Sequence, residues 1–311
     1  MLARSFDKVL IIANPISGGC QARRWLGPVR AAFENAGCNV EASLPGCVDD
    51  ARRLVGAHDG RNALLVTFGG DGTFNMALNA ADLSRTTLAV IPAGAGNAFA
   101  SELGMSWHPV KAARQLLGGR VVRLDVGVCN GRRFAFVFGT GIDASVVKIV
   151  HARRRRGMTQ WHYVPHAVYG LLRRHSWQLE VEVDGKPFAS GLDQVAVGNT
   201  HTYGGPMEMT PAASPDDGLF DVMCVRRRSL SDIIALMACG VLRSLHRSRR
   251  VRYGRGSRVH VSSPLRDVPY ELDGEDAGIL PAEVVMLAGA ANVLAPASFR
   301  SVPRALWRTV C

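Results

Sequence analysis

Hydrophobic positions in the first 125 residues fall in short continuous runs that alternate with stretches of helical spacing. Val9 to Ala13 is an apolar run of buried-strand type, and Arg23 to Ala36 has helical spacing that ends at Gly37. Asn39 to Leu44 is a weaker strand, and Asp49 to Ala57 a helix with Asp at its start. Ala63 to Phe68 is a second apolar strand, Thr73 to Asn79 begins a helix, Leu88 to Ile91 is a strand and Val110 to Leu117 a helix. Strands buried on both faces read as continuous apolar runs. Their alternation with helices predicts a parallel sheet covered on both sides.

From about Val121 the texture changes. Short β-like runs follow one another with polar turns: Arg133 to Val137, Gln178 to Val183 before the turn Asp184-Gly185, Gln194 to Gly198, Leu219 to Val225, Arg258 to Val261 and Glu283 to Leu287. That succession predicts an antiparallel sandwich or barrel-like domain. Two helical patches interrupt it, one from about Ala144 to Arg174 and one from Ser231, a candidate N-cap, to about Arg247. The shift in texture between Val121 and Asp125 marks the domain boundary. It gives an α/β domain over residues 1–122 and a β domain over 123–290. The chain shows no internal repeat, low-complexity segment or long Pro/Gly linker.

Three turns in the first half are rich in Gly and Asn, and each follows a strand. They are Asn14-Pro15-Ile16-Ser17-Gly18-Gly19, Gly69-Gly70-Asp71-Gly72-Thr73 and Pro92-Ala93-Gly94-Ala95-Gly96-Asn97. Glycine lets a backbone approach a ligand closely, and a loop that feeds a helix N-terminus directs unpaired N–H groups at an anion. Loops after parallel strands gather at the carboxyl edge of the sheet, where open α/β sheets bind ligands. Asp71 is unusual in an anion cradle; it fits contact with a sugar, orientation of a neighbour, or a metal that offsets phosphate charge. Taken alone, GGDGT is also compatible with a tight strand-to-helix turn in which Asp71 is an N-cap.

Composition narrows the classes. Of 311 residues, 47% are hydrophobic and 20% charged, which is globular rather than disordered. The formal net charge is +11 and the sequence pI about 9.8. A basic excess suits anionic partners such as phosphates, acidic headgroups or nucleic acid, and is equally a plain Arg-rich surface. The seven Cys are scattered without a CxxC pair, so reduced thiols in a cytoplasm are expected rather than disulfides or a zinc site. The N-terminal apolar run is too short for a signal peptide, and no stretch approaches 18 uninterrupted apolar residues, so membrane contact is expected to be peripheral.

The three loops, with Phe74 and Asn75 after GGDGT, resemble the nucleotide-site motifs of the diacylglycerol kinase catalytic-domain family, which bacterial lipid kinases, sphingosine kinases and ceramide kinases share. The second half agrees in order: Asp125-Val126-Gly127, Gly139-Thr140-Gly141-Ile142-Asp143, Tyr203-Gly204-Gly205, Asp216 to Asp221, and Asp273-Gly274-Glu275. The resemblance runs from about residue 9 to 290. It implies an N-terminal three-layer α/β domain, a C-terminal β-sandwich, an active-site cleft between them, and a return of residues 291–311 to the first domain. It also implies ATP as phosphate donor, Mg²⁺, and a lipid alcohol as acceptor, diacylglycerol by default and a sphingoid-type or polyprenyl alcohol as options.

Residue by residue, the resemblance implies a nucleotide site of Asn14, Ser17, Gly69, Gly70, Asp71, Gly72, Thr73, Phe74, Asn75, Met76, Gly94, Ala95, Gly96 and Asn97, with Ser43 a loose match to a Thr near the nucleotide. Glu275 matches the proton acceptor, with Asp71 as a second catalytic candidate. A positioned carboxylate can do that work, although Asp-Gly followed by Glu is equally a hairpin turn. Asp217, with the carbonyls of Ser214 and Leu219, matches a structural Mg²⁺ site, and hard oxygen ligands suit that ion; an acidic turn is the plain alternative. Asp125 and Asp143 are weaker candidates for ordering the cleft.

Three positions depart from the bacterial pattern: Met76 where many members carry Glu, Ala95 where Thr is usual, and Ala98 where Asp is usual. Gly96 to Ala100 is closer to the sphingosine kinase version. These changes motivate a rival reading, a nucleotide-regulated, membrane-associated binding protein with little catalysis. NAD kinases share the GGDGT loop and supply a third reading, but the other motifs follow the lipid-kinase order. Residues 139–144 match GxGxxA by chance, lacking a βαβ unit. A standard P-loop, the protein-kinase motif set and a GxSxG elbow are missing. Arg153 to Arg156 with nearby aromatics, and Arg243 to Arg252, predict a surface that rests on an anionic bilayer, or a solvated basic face. Nucleic acid is not an expected partner. A homodimer is left open.

Overall fold

The computed structural model describes residues 6, 8–58, 62–142, 144, 177–201, 209–226, 232 and 251–301. The chain divides into two compact units, one of residues 1–124 with 289–300 and one of residues 125–288. The helical patches expected at 144–174 and 231–247 lie almost wholly outside the described residues, as do Asp143, Tyr203-Gly204-Gly205 and the Arg153 to Arg156 stretch.

The first unit runs β1 (Lys8–Ala13), α1 (Gln21–Glu34), β2 (Val40–Ser43), α2 (Val48–Gly56), β3 (Ala63–Gly69), α3 (Asp71–Ala80), β4 (Thr86–Pro92), α4 (Ala98–Glu102) and α5 (Pro109–Leu117). The strand order is β2-β1-β3-β4, all parallel, with Ile12 opposite both Ser43 and Thr67 and Phe68 opposite Ile91. Every residue of β3 and β4 is buried, as expected for parallel strands covered on both faces. Helix α1 packs with α5 and α2 with α3. Helices α1 and α5 bury an apolar stripe, Ala22, Val29 and Phe33 of α1 and Ala112, Ala113 and Leu116 of α5. A fifth parallel partner comes from far along the chain: Asn292 and Val293 of β16 (Ala282–Ala295) lie against Thr87 and Leu88.

The second unit is built from the second part of β5 (Arg120–Cys129), then β6 (Arg132–Phe134), β7 (Val137–Gly141), β8 (Leu179–Val183), β9 (Lys186–Leu192), β10 (Gln194–Gly198), β11 (Phe220–Val225), β12 (Val251–Gly256), β13 (Arg258–Ser262), β14 (Pro269–Leu272), β15 (Glu275–Ile279) and the first part of β16. One antiparallel layer has the order β12-β11-β10-β7-β14-β15. The other places β13 between β16 and β8, with β9 at its edge and the β5–β6 hairpin beside β16. Alternation sets the inward faces: Leu179 and Val181 on β8 and Val259 and Val261 on β13 are buried, while Glu180, Glu182 and His260 are exposed. Phe134, Phe138, Val195, Val197, Phe220 and Val222 complete the sandwich core.

The run expected as one strand, Arg133 to Val137, is two strands. They separate at Ala135 and Phe136 because the backbone N–H groups there bond a side chain instead of a neighbouring strand. Strands β5, β9, β12, β14 and β15 and helix α4 were not expected. β9 and β12 are edge strands of mixed polarity, β9 largely exposed and β12 mostly half-buried, which leave little periodic trace.

Candidate active site

The carboxyl ends of β1, β3 and β4 deliver the three glycine-rich loops to one place. The N–H of Asn14 donates to the carbonyl of Phe68 at 2.9 Å, and that of Ala93 to Gly69 at 2.8 Å. Asn14 then folds over its own turn, its Oδ1 accepting the Ile16 N–H at 3.1 Å, while its Nδ2 donates to Thr73 Oγ1 at 3.2 Å. The loops touch where they are glycine. A Cβ on Gly94 would lie 2.5 Å from the Cα of Gly70. One on Gly18, whose φ is +53°, would lie 2.1 Å from the carbonyl oxygen of Ala93. Backbone so close leaves no room for a side chain, which is the steric reason for glycine at these positions.

Asp71 is the first residue of α3, whose N-cap is Gly70. Its carboxylate serves α4 instead. Oδ1 accepts the N–H of Phe99 at 3.1 Å, and the backbone N–H groups of Ala98 and Asn97 lie close enough to favour its charged form. Burial pushes the Asp71 carboxyl above the usual carboxylate range, and these N–H bonds act against that rise. Asn97, the residue before α4, sits at φ +51° and closes its own loop, accepting the Gly94 N–H and donating to the Gly94 carbonyl, both at 2.8 Å. Phe74 stacks on Phe99 with centroids 4.1 Å apart, so α3 holds Phe99 of α4 through both its backbone and its ring.

The expected nucleotide residues therefore divide. Gly72 and Ala95 are exposed at the loop tips, as is Gly18, which was not among the expected residues, and Gly70, Asp71 and Gly94 are half-buried beside them. Phe74, Asn75 and Asn97 are buried and hold the loops in shape. Ser17 is half-buried, its carbonyl accepting the N–H of Gln21 at the start of α1. Ser43 ends β2 on the same edge of the sheet, and Met76 is half-buried in α3.

Glu275 opens β15, directly after the turn Asp273-Gly274, whose φ angles are +53° and +80°. Two positive φ values suit an Asp-Gly hairpin turn. The turn is pinned from inside. The Asp273 carboxylate accepts the N–H groups of Ala135, Phe136 and Val137 at 2.8, 2.9 and 3.1 Å. Fully buried Glu271 accepts the Gly274 N–H at 2.6 Å. Arg132 Nη2 donates to Glu275 Oε2 at 2.6 Å, and both side chains are 35% exposed. Asp273, Glu271 and Arg132 had no assigned role in the sequence. An acidic residue before Gly and an Asn130-Gly131 pair before Arg132 were the available signs.

The acidic loop of the second unit is ordered by Asp125. Its N–H donates to the Pro215 carbonyl and its Oδ2 accepts the Gly218 N–H, both at 2.7 Å. Asn199, another residue without a sequence sign, donates to the carbonyls of Asp125 and Ala135. Within the loop, Ser214 Oγ donates to Asp216 at 2.7 Å, and Asp217 Oδ1 accepts the Leu219 N–H at 3.1 Å. Asp217 Oδ2 pairs with Arg255, which also lies 3.4 Å from Asp221 Oδ2. Tyr253 donates its hydroxyl to Asp221 at 2.8 Å. Burial pushes the Asp221 carboxyl up to about 6, against the pull of the Arg255 charge.

Four carboxylates, Asp125, Asp216, Asp217 and Asp221, are thus held in and beside this loop with one guanidinium. That excess of negative charge and the hard oxygen donors fit a divalent cation such as Mg²⁺. No group of three or more His, Cys, Asp or Glu side chains among the described residues is arranged to hold a metal. A cation here would rely on Asp217 with main-chain carbonyls, and would share that carboxylate with Arg255.

Comparison with known proteins agrees with both units. The diacylglycerol kinase catalytic domain family matches residues 8–129, and the YegS C-terminal NAD kinase beta sandwich-like domain family matches residues 136–295. A diacylglycerol kinase of Bacillus subtilis is 32% identical over 291 residues, covering 92% of this chain and 95% of that protein. One of Mycobacterium tuberculosis is 30% identical, covering 93% and 95%. The crystal structure of a diacylglycerol kinase from Bacillus anthracis, 22% identical, shares the fold with a TM-score of 0.74 over 95% of this chain and 99% of that one. With two domains matched in order and relatives aligned over nearly their whole length, the chain belongs to the diacylglycerol kinase family and is an ATP-dependent lipid kinase.

Proposed function

We propose that the chain transfers the γ-phosphoryl group of ATP to the free hydroxyl of diacylglycerol, with Glu275 as proton acceptor. The observation that supports this most is the interlocking of the three glycine loops through Gly18, Gly70 and Gly94, together with the separately braced turn that carries Glu275. Phosphoryl transfer needs positioning and charge stabilisation more than covalent chemistry. Loop N–H groups beside the start of α3 bind the phosphates, with Gly69 to Met76 and Gly94 to Asn97 forming the nucleotide site beside Asn14, Ser17 and Ser43. Asp71 acts as a positioning residue, because its carboxylate is committed to the α4 N-terminus. Glu275 takes the proton of the attacking hydroxyl as the new O–P bond forms and ADP leaves. Asp217, with the carbonyls of Ser214 and Leu219, would hold Mg²⁺, which when bound would neutralise the acidic loop.

The substrate lies in a membrane, and a chain of net charge +11 meets an anionic surface peripherally. No helix among the described residues is long and apolar enough to cross a bilayer. NAD phosphorylation is not favoured, since the relatives aligned along the whole chain are diacylglycerol kinases.

The test is transfer of labelled phosphate from ATP into diacylglycerol, monoacylglycerol, sphingosine, ceramide and undecaprenol in anionic mixed micelles, across a range of Mg²⁺ concentrations. Labelled phosphatidic acid is expected. Glu275→Gln should lower kcat by about 10²-fold or more, and Asp217→Asn should raise the Mg²⁺ requirement. A different labelled lipid would replace the acceptor. Full activity in Glu275→Gln would remove the proton-acceptor role. Nucleotide binding without any labelled lipid would favour the binding-protein reading.

A further inference from the structure

Arg132 and Glu275 each follow a two-residue turn in which both residues have positive φ: Asn130 (+47°) and Gly131 (+85°), then Asp273 (+53°) and Gly274 (+80°). The β5–β6 hairpin is braced to the turn of the β14–β15 hairpin and to the start of β16 by bonds that involve neither side chain. Asp273 takes three N–H groups from residues 135–137, immediately after β6. Asn130 donates to the Pro281 carbonyl at 3.2 Å and accepts the Glu283 N–H at 3.1 Å, and its own N–H donates to the Glu283 carbonyl at 3.2 Å. The backbones that carry Arg132 and Glu275 are therefore fixed without the ion pair.

What remains for the pair is the orientation of the carboxylate. A bridge between side chains 35% exposed contributes little to stability, because solvent screens it and two long side chains lose freedom. Arg132 engages Oε2 through one Nη, and among the described residues no hydrogen bond or ion pair engages Oε1. One carboxylate oxygen is tethered and the other is left to receive a proton.

We propose that Arg132 is a positioning residue for the reaction: it tethers Oε2 of Glu275 so that Oε1 takes the proton of the acceptor hydroxyl. This rests on Glu275 being the proton acceptor. In the step, the acceptor O–H bond breaks as its oxygen bonds to the γ-phosphorus, the proton passes to Oε1, and the bond from the γ-phosphorus to the bridging oxygen breaks to release ADP. A carboxylate free to rotate meets the hydroxyl in productive geometry less often, and small misplacements of a catalytic group cost large factors in rate.

The experiment compares wild type, Arg132→Met, Arg132→Lys, Glu275→Gln and the Arg132→Met/Glu275→Gln double variant in the lipid-phosphorylation assay, with melting temperatures. Arg132→Met is expected to lower kcat by about 10- to 100-fold while KM for ATP and the melting temperature stay near wild type. Arg132→Lys should recover part of kcat, because an ammonium replaces one N–H contact without the planar fork. In the Glu275→Gln background, removing Arg132 should have little further effect, since residues that act as a unit are non-additive. The proposal is overturned by an unchanged kcat in Arg132→Met, by a change confined to KM for ATP, or by a full additional loss in the double variant. Loss of activity in Glu275→Gln with a silent Arg132→Met sinks the positioning role alone. Retained activity in Glu275→Gln sinks the proton-acceptor reading, and this proposal with it.

Discussion

Asp221 shows how far one residue can depart from its sequence environment. It lies on β11, every residue of which is buried, and it has no exposed surface. Burial raises its carboxyl to about 6 from an ordinary 3.8, although Tyr253 and Arg255 are its partners. A raised carboxylate pKa means that the folded state disfavours the charged form. Below about pH 4 the group is protonated folded and unfolded, and it costs nothing. Between about 4 and 6 the unfolded chain ionises first, and above 6 the full cost of burying the charge is felt. Two pKa units correspond to about 3 kcal/mol. Asp221→Asn lacks this titration. Urea unfolding at pH 4.5 and 7.5 should therefore show the variant gaining on wild type as pH rises. A pH-independent difference would contradict the assigned cause.

At the scale of elements, the loops and hairpins were unevenly legible. The apolar runs of β1, β3 and β4 and the glycine turns after them are local features, so period and turn chemistry found them. Helix α4 has five residues and is made by its surroundings, with Asp71 and Asn97 at its N-terminus and Phe74 stacked on Phe99. The turn Asp273-Gly274 was visible as a turn, and the structure shows it to be one. What sequence could not show is that its Asp bonds three N–H groups nearly 140 residues away. The contact of Gly18 with Ala93 and of Gly94 with Gly70 gives a prediction at this scale. Gly18→Ala and Gly94→Ala must push the loops apart, because a Cβ would lie 2.1 and 2.5 Å from backbone atoms. Each should weaken ATP binding by about tenfold or more, measured by calorimetry, while Gly72→Ala, at an exposed tip, should cost less. Equal effects at all three positions would argue against interlocking as the reason for glycine.

For the molecule as a whole, charge is the property composition states most directly. A net charge of +11, carried almost entirely by Arg, should draw the enzyme to anionic surfaces over about one Debye length, roughly 10 Å at 0.1 M salt. Raising NaCl from 0.05 to 0.5 M should increase the apparent KM for lipid several-fold in anionic micelles and leave it nearly unchanged in neutral ones. Equal salt sensitivity in both would show that the charge acts elsewhere than at the lipid surface.

The sequence by itself determined the parallel α/β first half, the β-rich second half, the three glycine loops and the acidic motifs, because each is written in neighbouring residues through period, turn chemistry and composition. Only the tertiary structure decided which polar side chains meet. Asp71 serves a helix that begins 27 residues later, and Arg132 reaches Glu275 from 143 residues away. Asp125 orders a loop more than 90 residues downstream, and Arg255 answers the charge of Asp217 and Asp221. Such pairings depend on how strands order themselves within sheets, and strand order follows from packing over the whole unit rather than from any local pattern.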